Sequence, residues 1–201
     1  MVKIKRLVAF GCSLTYGHGL ADCYTENGME GPIPSVQAWP FLVASHFKVA
    51  IDNQGIPGGS NKEIFQKIRN YEFKKGDCAV VLWSYINRHC SIYPDYVDRY
   101  GPWLKSTRSK NWIKHLFNDH DATLDCLMYD EHARLYLNTK KIKHNTYFAD
   151  HFMTIPQPEG KLFQRVFDDF ARDGKHPGAA TQRAFAQQVI TDSTGPAVYL
   201  A

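Results

Sequence analysis

At 201 residues the chain is long enough to bury the core of one domain, and its 44% apolar and 22% charged content is that of a globular protein. The net charge is only +4. The basic clusters Lys105, Arg108, Lys110, Lys114 and Lys140, Lys141, Lys143 are short enough to be solvated helix faces, which argues against a nucleic-acid partner. No apolar stretch reaches membrane-spanning length, so no membrane partner is expected.

In chain order, residues 4–10 predict a first strand, buried on both faces because its second half is continuously apolar. Residues 17–34 carry four glycines and two prolines among them and predict a long surface loop. A helix should then run to about Phe47 with Trp39, Leu42, Val43 and Phe47 inward. Ser35 is one candidate cap for it, although Pro40 fits best in a first turn. Residues 49–52 predict a second strand, ended by the turn Asn53 to Gly59, and Ser60 caps a helix with Ile64, Ile68 and Tyr71 at helical spacing. A third, continuously apolar strand spans 78–83.

Residues 88–112 read as irregular and rich in Tyr, Trp and Pro, followed by a long helical stretch over about 110–141. A fourth strand over 145–153, a loop at 156–160 and a last helix over 178–190 complete the pattern. Strands alternating with helices imply a parallel sheet covered on both faces, a three-layer α/β/α sandwich. The whole chain, 1–201, reads as one domain with an aromatic-rich helical insertion at about 88–143.

Five cysteines without a CxxC pair argue against a zinc site or a disulfide framework and fit a reducing compartment. The short apolar run after Lys3, Lys5 and Arg6 is no signal h-region, so a cytoplasmic protein without a targeting segment is expected. The nine histidines show no HxH or HExxH spacing, so no metal is expected, and His18 between Gly17 and Gly19 reads as exposed loop.

The chemistry concentrates at strand ends, where active crevices of parallel sheets lie. Ser13 follows the first strand in Gly11-Cys12-Ser13-Leu14-Thr15. A serine becomes a nucleophile when a base takes its proton, and the base is oriented by a carboxylate. His176 and Asp173, three apart in Asp173-Gly174-Lys175-His176-Pro177, can meet on one side of a tight turn and supply both. Gly58 lets a backbone N–H approach a ligand, and Asn87 offers a neutral amide donor, so both are candidates to hold an oxyanion. The aromatic segment Tyr93, Tyr96, Tyr100, Trp103 and Trp112 suits a substrate wall, with Tyr93 and Trp103 as its candidates, or packing of the insertion.

These blocks resemble those of the SGNH hydrolases, the GDSL-type esterases and lipases. Gly11-Cys12-Ser13-Leu14 matches three of the four residues of Gly-Asp-Ser-Leu. Asn53-x-Gly55-x-x-Gly58-x-Ser60 resembles the second block, and Asp173-x-x-His176-Pro177 matches the fifth. Of the third block, Gly-x-Asn-Asp, only Asn87 remains, and Arg88 follows it. The resemblance spans nearly the whole chain in family order. It implies the flavodoxin-like SGNH fold, Ser13 as nucleophile and backbone donor, Gly58 and Asn87 completing the oxyanion hole, and Asp173 and His176 completing the triad.

The expected function is a serine esterase acting on a carboxylic ester, such as an O-acetyl group on a carbohydrate, without a cofactor. Two alternatives stand beside it: a non-catalytic binding or assembly protein on the same scaffold, and a thiol enzyme using Cys12. The oligomeric state is not legible.

Overall fold

The structure is a computed structural model that describes residues 4–25, 27, 29–149, 161–162 and 169–194. Strands β1 (Arg6–Gly11), β2 (Ala50–Gly55) and β3 (Asp77–Trp83) lie side by side with β1 in the middle, all parallel. Beyond β3 come β6 (Lys143–Phe148) and the two-residue β7 (Lys161–Leu162), also parallel. The order β2-β1-β3-β6-β7 leaves β1 and β3 flanking the point where the winding reverses.

β1 and β3 are apolar throughout their centres because helices cover both faces. Helix α2 (Trp39–Phe47) packs on α6 (Ala179–Thr194), and α3 (Asn61–Asn70) packs on α5 (Asp119–Thr139). Trp39 and Phe185 meet edge-on with Tyr147 in the first of these layers. In the second, the Trp83 indole N–H donates to Asp130 of α5 at 2.8 Å, and Asp130 is held in turn by Arg134. Paired in this way, a carboxylate 1% exposed is tolerable in the core.

The helix starts follow local chemistry. Pro40 sits in the first turn of α2, where its missing N–H costs nothing, while Ser35 instead donates to Asp22. Ser60 and Glu63 form a reciprocal capping box at α3.

Between β3 and β6 the chain is more ordered than its sequence suggests. Residues expected to be irregular form an antiparallel hairpin of β4 (His89–Ile92) and β5 (Val97–Tyr100). The expected single helix is two, α4 (Thr107–His115) and α5, because Asn118 accepts the N–H groups of His120 and Asp121 and restarts the helix. The hairpin is anchored by Arg99, which reaches Glu63 of α3 at 2.7 Å, and its stacked aromatics gather on Trp112. The end of the expected fourth strand and the loop at 156–160 lie outside the described residues. No helix among the described residues is long and apolar enough to cross a membrane.

Candidate active site

Ser13 opens α1 (Ser13–Tyr16), a single turn that begins two residues after β1. This sharp strand-to-helix corner needs glycine at position 11. A Cβ there would stand 2.0 Å from the Thr15 hydroxyl and 2.9 Å from the Leu82 carbonyl. The preceding Cys12 is fully buried in the core, so its thiol does not face the crevice. The Ser13 side chain is buried, and its Oγ has no hydrogen-bond partner among the described residues.

Two fasteners fix this corner. Asn53 at the end of β2 donates to the Thr15 carbonyl at 2.7 Å, and the Ile56 N–H donates to the Gly11 carbonyl at 2.8 Å. These bonds bring the second sequence block against the first and set Gly58, with φ of 70°, beside the crevice. From α6, the buried Gln182 accepts the Trp39 N–H at 2.9 Å and donates to the Leu14 carbonyl at 3.2 Å.

The Asp173–His176 turn is a compact hairpin set just before α6. Phe170 bridges Pro177, and the Ala171 and Gly178 N–H groups donate to the His176 and Asp169 carbonyls. The Asp169 carboxylate accepts the Ala180 and Thr181 N–H groups, capping α6 from outside the helix. Within the turn, Asp173 Oδ2 pairs with His176 Nδ1 at 2.5 Å, and Oδ1 accepts the Lys175 and His176 N–H groups at 3.0 Å each. This fixes Nδ1 as the bonded nitrogen of His176 and leaves Nε2 for other chemistry.

Ser13, Gly58, Asp173 and His176 line one cavity of ≈ 590 Å³, a size suited to a small ligand. Trp103 also lines it, with its ring lying directly over Gly101. The other two predicted residues are elsewhere. Asn87 sits in the turn after β3 and does not line the cavity, whereas its neighbours Tyr85 and Arg88 do. Tyr93 is exposed at the hairpin end and stacks on Tyr96 at 4.5 Å.

Other residues complete the lining. His18, expected to be exposed loop, is half-buried and its ring stacks on His176 at 4.5 Å between centroids. With Asp173 these two histidines offer three ligand atoms within 4.8 Å of one another, residue types able to hold a transition-metal ion. No spacing in the sequence could reveal that trio, because His18 comes from the opposite end of the chain. Glu30, Arg88, Arg99 and Lys175 add charge.

The electrostatics separate the two members of the pair. Burial pushes the His176 imidazole below its ordinary value; Asp173 opposes this, and the charges of His18 and Arg88 add to it. Burial works to raise Asp173, but the His176 backbone and ring and the Lys175 N–H outweigh it and hold the carboxyl at about 2. At neutral pH the arrangement is a neutral imidazole against a carboxylate, the state in which a histidine accepts a proton.

No family model matches the chain, and no match emerges among curated proteins. Solved structures do match. A protein described as a lipolytic protein of the G-D-S-L family, from Desulfitobacterium hafniense, superposes with a TM-score of 0.55 at 10% identity, covering 93% of this chain and 98% of its own. The fold is that of the SGNH hydrolases. A carbohydrate esterase whose active site is described as having divergent catalytic and non-catalytic binding functions has a TM-score of 0.59 at 12% identity, covering 94% of this chain and 68% of its own. An acetyl xylan esterase from Butyrivibrio proteoclasticus has a TM-score of 0.57 at 11% identity, over 96% of this chain and 64% of its own. In the SGNH fold the ends of β1, β2 and β3 share one edge, which is where Ser13, Gly58 and Arg88 follow their strands.

Proposed function

We propose that the protein is a serine esterase that hydrolyses a carboxylic ester, with Ser13, His176 and Asp173 as its triad. The observation that carries this reading is the convergence of the buried Ser13 and the Asp173-held His176 on one cavity, from opposite ends of the chain. His176 Nε2 takes the Ser13 proton as Oγ attacks the ester carbonyl, and the Asp173 carboxylate stabilises the imidazolium. The imidazolium then gives its proton to the leaving alcohol, and water hydrolyses the acyl-enzyme by the same route. The backbone N–H groups of Ser13 and Gly58 are the donors for the oxyanion. Asn87 fills that role only if the turn after β3 rearranges when substrate binds. An O-acetylated carbohydrate is a substrate of the right kind, since the cavity has the size of a small ligand and polar as well as aromatic lining.

The test is turnover of a short-chain aryl ester together with labelling by a fluorophosphonate. The wild-type protein should hydrolyse the ester and carry one adduct on Ser13, and Ser13→Ala should lose both. Turnover at the wild-type level in Ser13→Ala would refute the assignment. One observation favours a second reading, a binding protein on the hydrolase scaffold: Ser13 Oγ has no bond to His176, and the third block's asparagine stands off the cavity. That reading predicts a folded protein that takes no label.

A further inference from the structure

The cavity that Ser13 lines also holds Arg88, a cation with no ion-pair partner among the described residues. Arg88 stands where the third sequence block of the resembling family carries an acid. Its guanidinium lies 4.8 Å from the Trp103 ring centroid and 5.1 Å from that of Tyr85, so two aromatic faces fix its position. Its Nη1 is buried and has no hydrogen-bond partner, and no carboxylate among the described residues lies within ion-pair reach of it. A buried guanidinium nitrogen without an acceptor is costly, so the position calls for an acceptor that the chain's described residues do not supply.

Arg88 lines a second, smaller cavity as well, but its guanidinium belongs to the first. Tyr85 and Trp103 line only the Ser13 cavity, and Arg88 is close enough to His176 to depress its titration. The remaining charges there do not neutralise it. Arg99 is satisfied by Glu63 and Asp173 by His176, while Lys175 and Glu30, one charge of each sign, also line the cavity.

We infer that the substrate carries an anionic oxygen group, a carboxylate or a phosphate, which the clamped Arg88 guanidinium receives while Ser13 addresses the ester. This rests on the esterase reading above and narrows its substrate class. A planar guanidinium matches either anion by two parallel N–H···O bonds, which an ammonium group does not reproduce.

Two isosteric esters, 4-carboxyphenyl acetate and 4-carbamoylphenyl acetate, differ only in the anion. The wild-type protein should prefer the carboxylate by roughly 10- to 100-fold in kcat/KM, the range for a bond to a desolvated charge. Arg88→Gln should lower the ratio of the two constants at least tenfold, and Arg88→Lys should recover part of it. A wild-type ratio near one rules out the carboxylate and, with no saturable quenching by phosphate in the titration below, overturns the inference; a loss in Arg88→Gln that is equal for both esters also overturns it, since it would place Arg88 on the reacting carbonyl. Binding is read separately by Trp fluorescence in the Ser13→Ala protein, titrated with 4-hydroxybenzoate, 4-hydroxybenzamide and inorganic phosphate. If no ester is hydrolysed, the esterase reading fails while this titration still decides the anion. Saturable quenching by 4-hydroxybenzoate or by phosphate, and not by the amide, supports the site and identifies which anion it takes. Equal or absent quenching by all three refutes it.

Discussion

His176 is partly buried, and that burial alone would drive its proton off; Asp173 counters it, and His18 stacked upon it does not. In the proposed reaction the free base is the active form, so kcat/KM should fall on the acid side, with a midpoint below the ordinary histidine value of about 6.5. His18→Ala removes the unfavourable charge interaction between the two rings and part of the cover over His176. Both changes ease protonation, so the acid limb should move up toward the ordinary value, as a pH–rate profile would record. A limb that moves down, or not at all, would mean that His18 and His176 do not face each other as described. Asp173→Asn should lower kcat on the order of 10³-fold, since the amide cannot stabilise the imidazolium and favours the wrong tautomer.

At the scale of elements, the two halves of the proposed triad depend on hydrogen bonds between helices. Gln182 of α6 satisfies a backbone N–H at the start of α2 and a carbonyl within α1, the helix that carries Ser13. Gln182→Leu leaves both groups buried and unpaired, so a loss of about 2 kcal/mol in chemical denaturation is expected, with reduced turnover because α1 loses a support. At α3, Ser60→Ala breaks the capping box and should cost about 1 kcal/mol by the same measurement. Much of this was legible in advance. Ser60 before Glu63, and Pro40 in a first turn, are local signals whose physics needs no distant partner. The β4–β5 hairpin was not, because Tyr, Arg and His there satisfy themselves by contacts with α3 and α4 rather than by a period in the chain.

Across the molecule, the far end of the sheet is clamped independently of the site. Arg6 on β1 forms two bonds with Asp77, its neighbour in register on β3, at 2.9 and 2.7 Å, and Asp77 also accepts the Lys74 N–H. Arg6→Met strands a carboxylate whose side chain is only 3% exposed and should destabilise the fold by about 3 kcal/mol. Because this pair lies at the amino ends of the strands, kcat/KM per folded molecule should not change. A drop in kcat/KM without a drop in stability would show that the two ends of the sheet communicate.

Composition, the strand–helix alternation and the Ser13, Gly58 and Asp173-x-x-His176 blocks were determined by the sequence alone, because each rests on local periodicity or on short-range turn chemistry. Tertiary structure decided which residues share the cavity. It set His18 on His176, and it put Arg88 rather than Asn87 beside Ser13, with Trp103 over Gly101. Such neighbours come from segments far apart in the chain, and their side-chain directions follow from packing between layers, which no spacing along a strand or helix encodes.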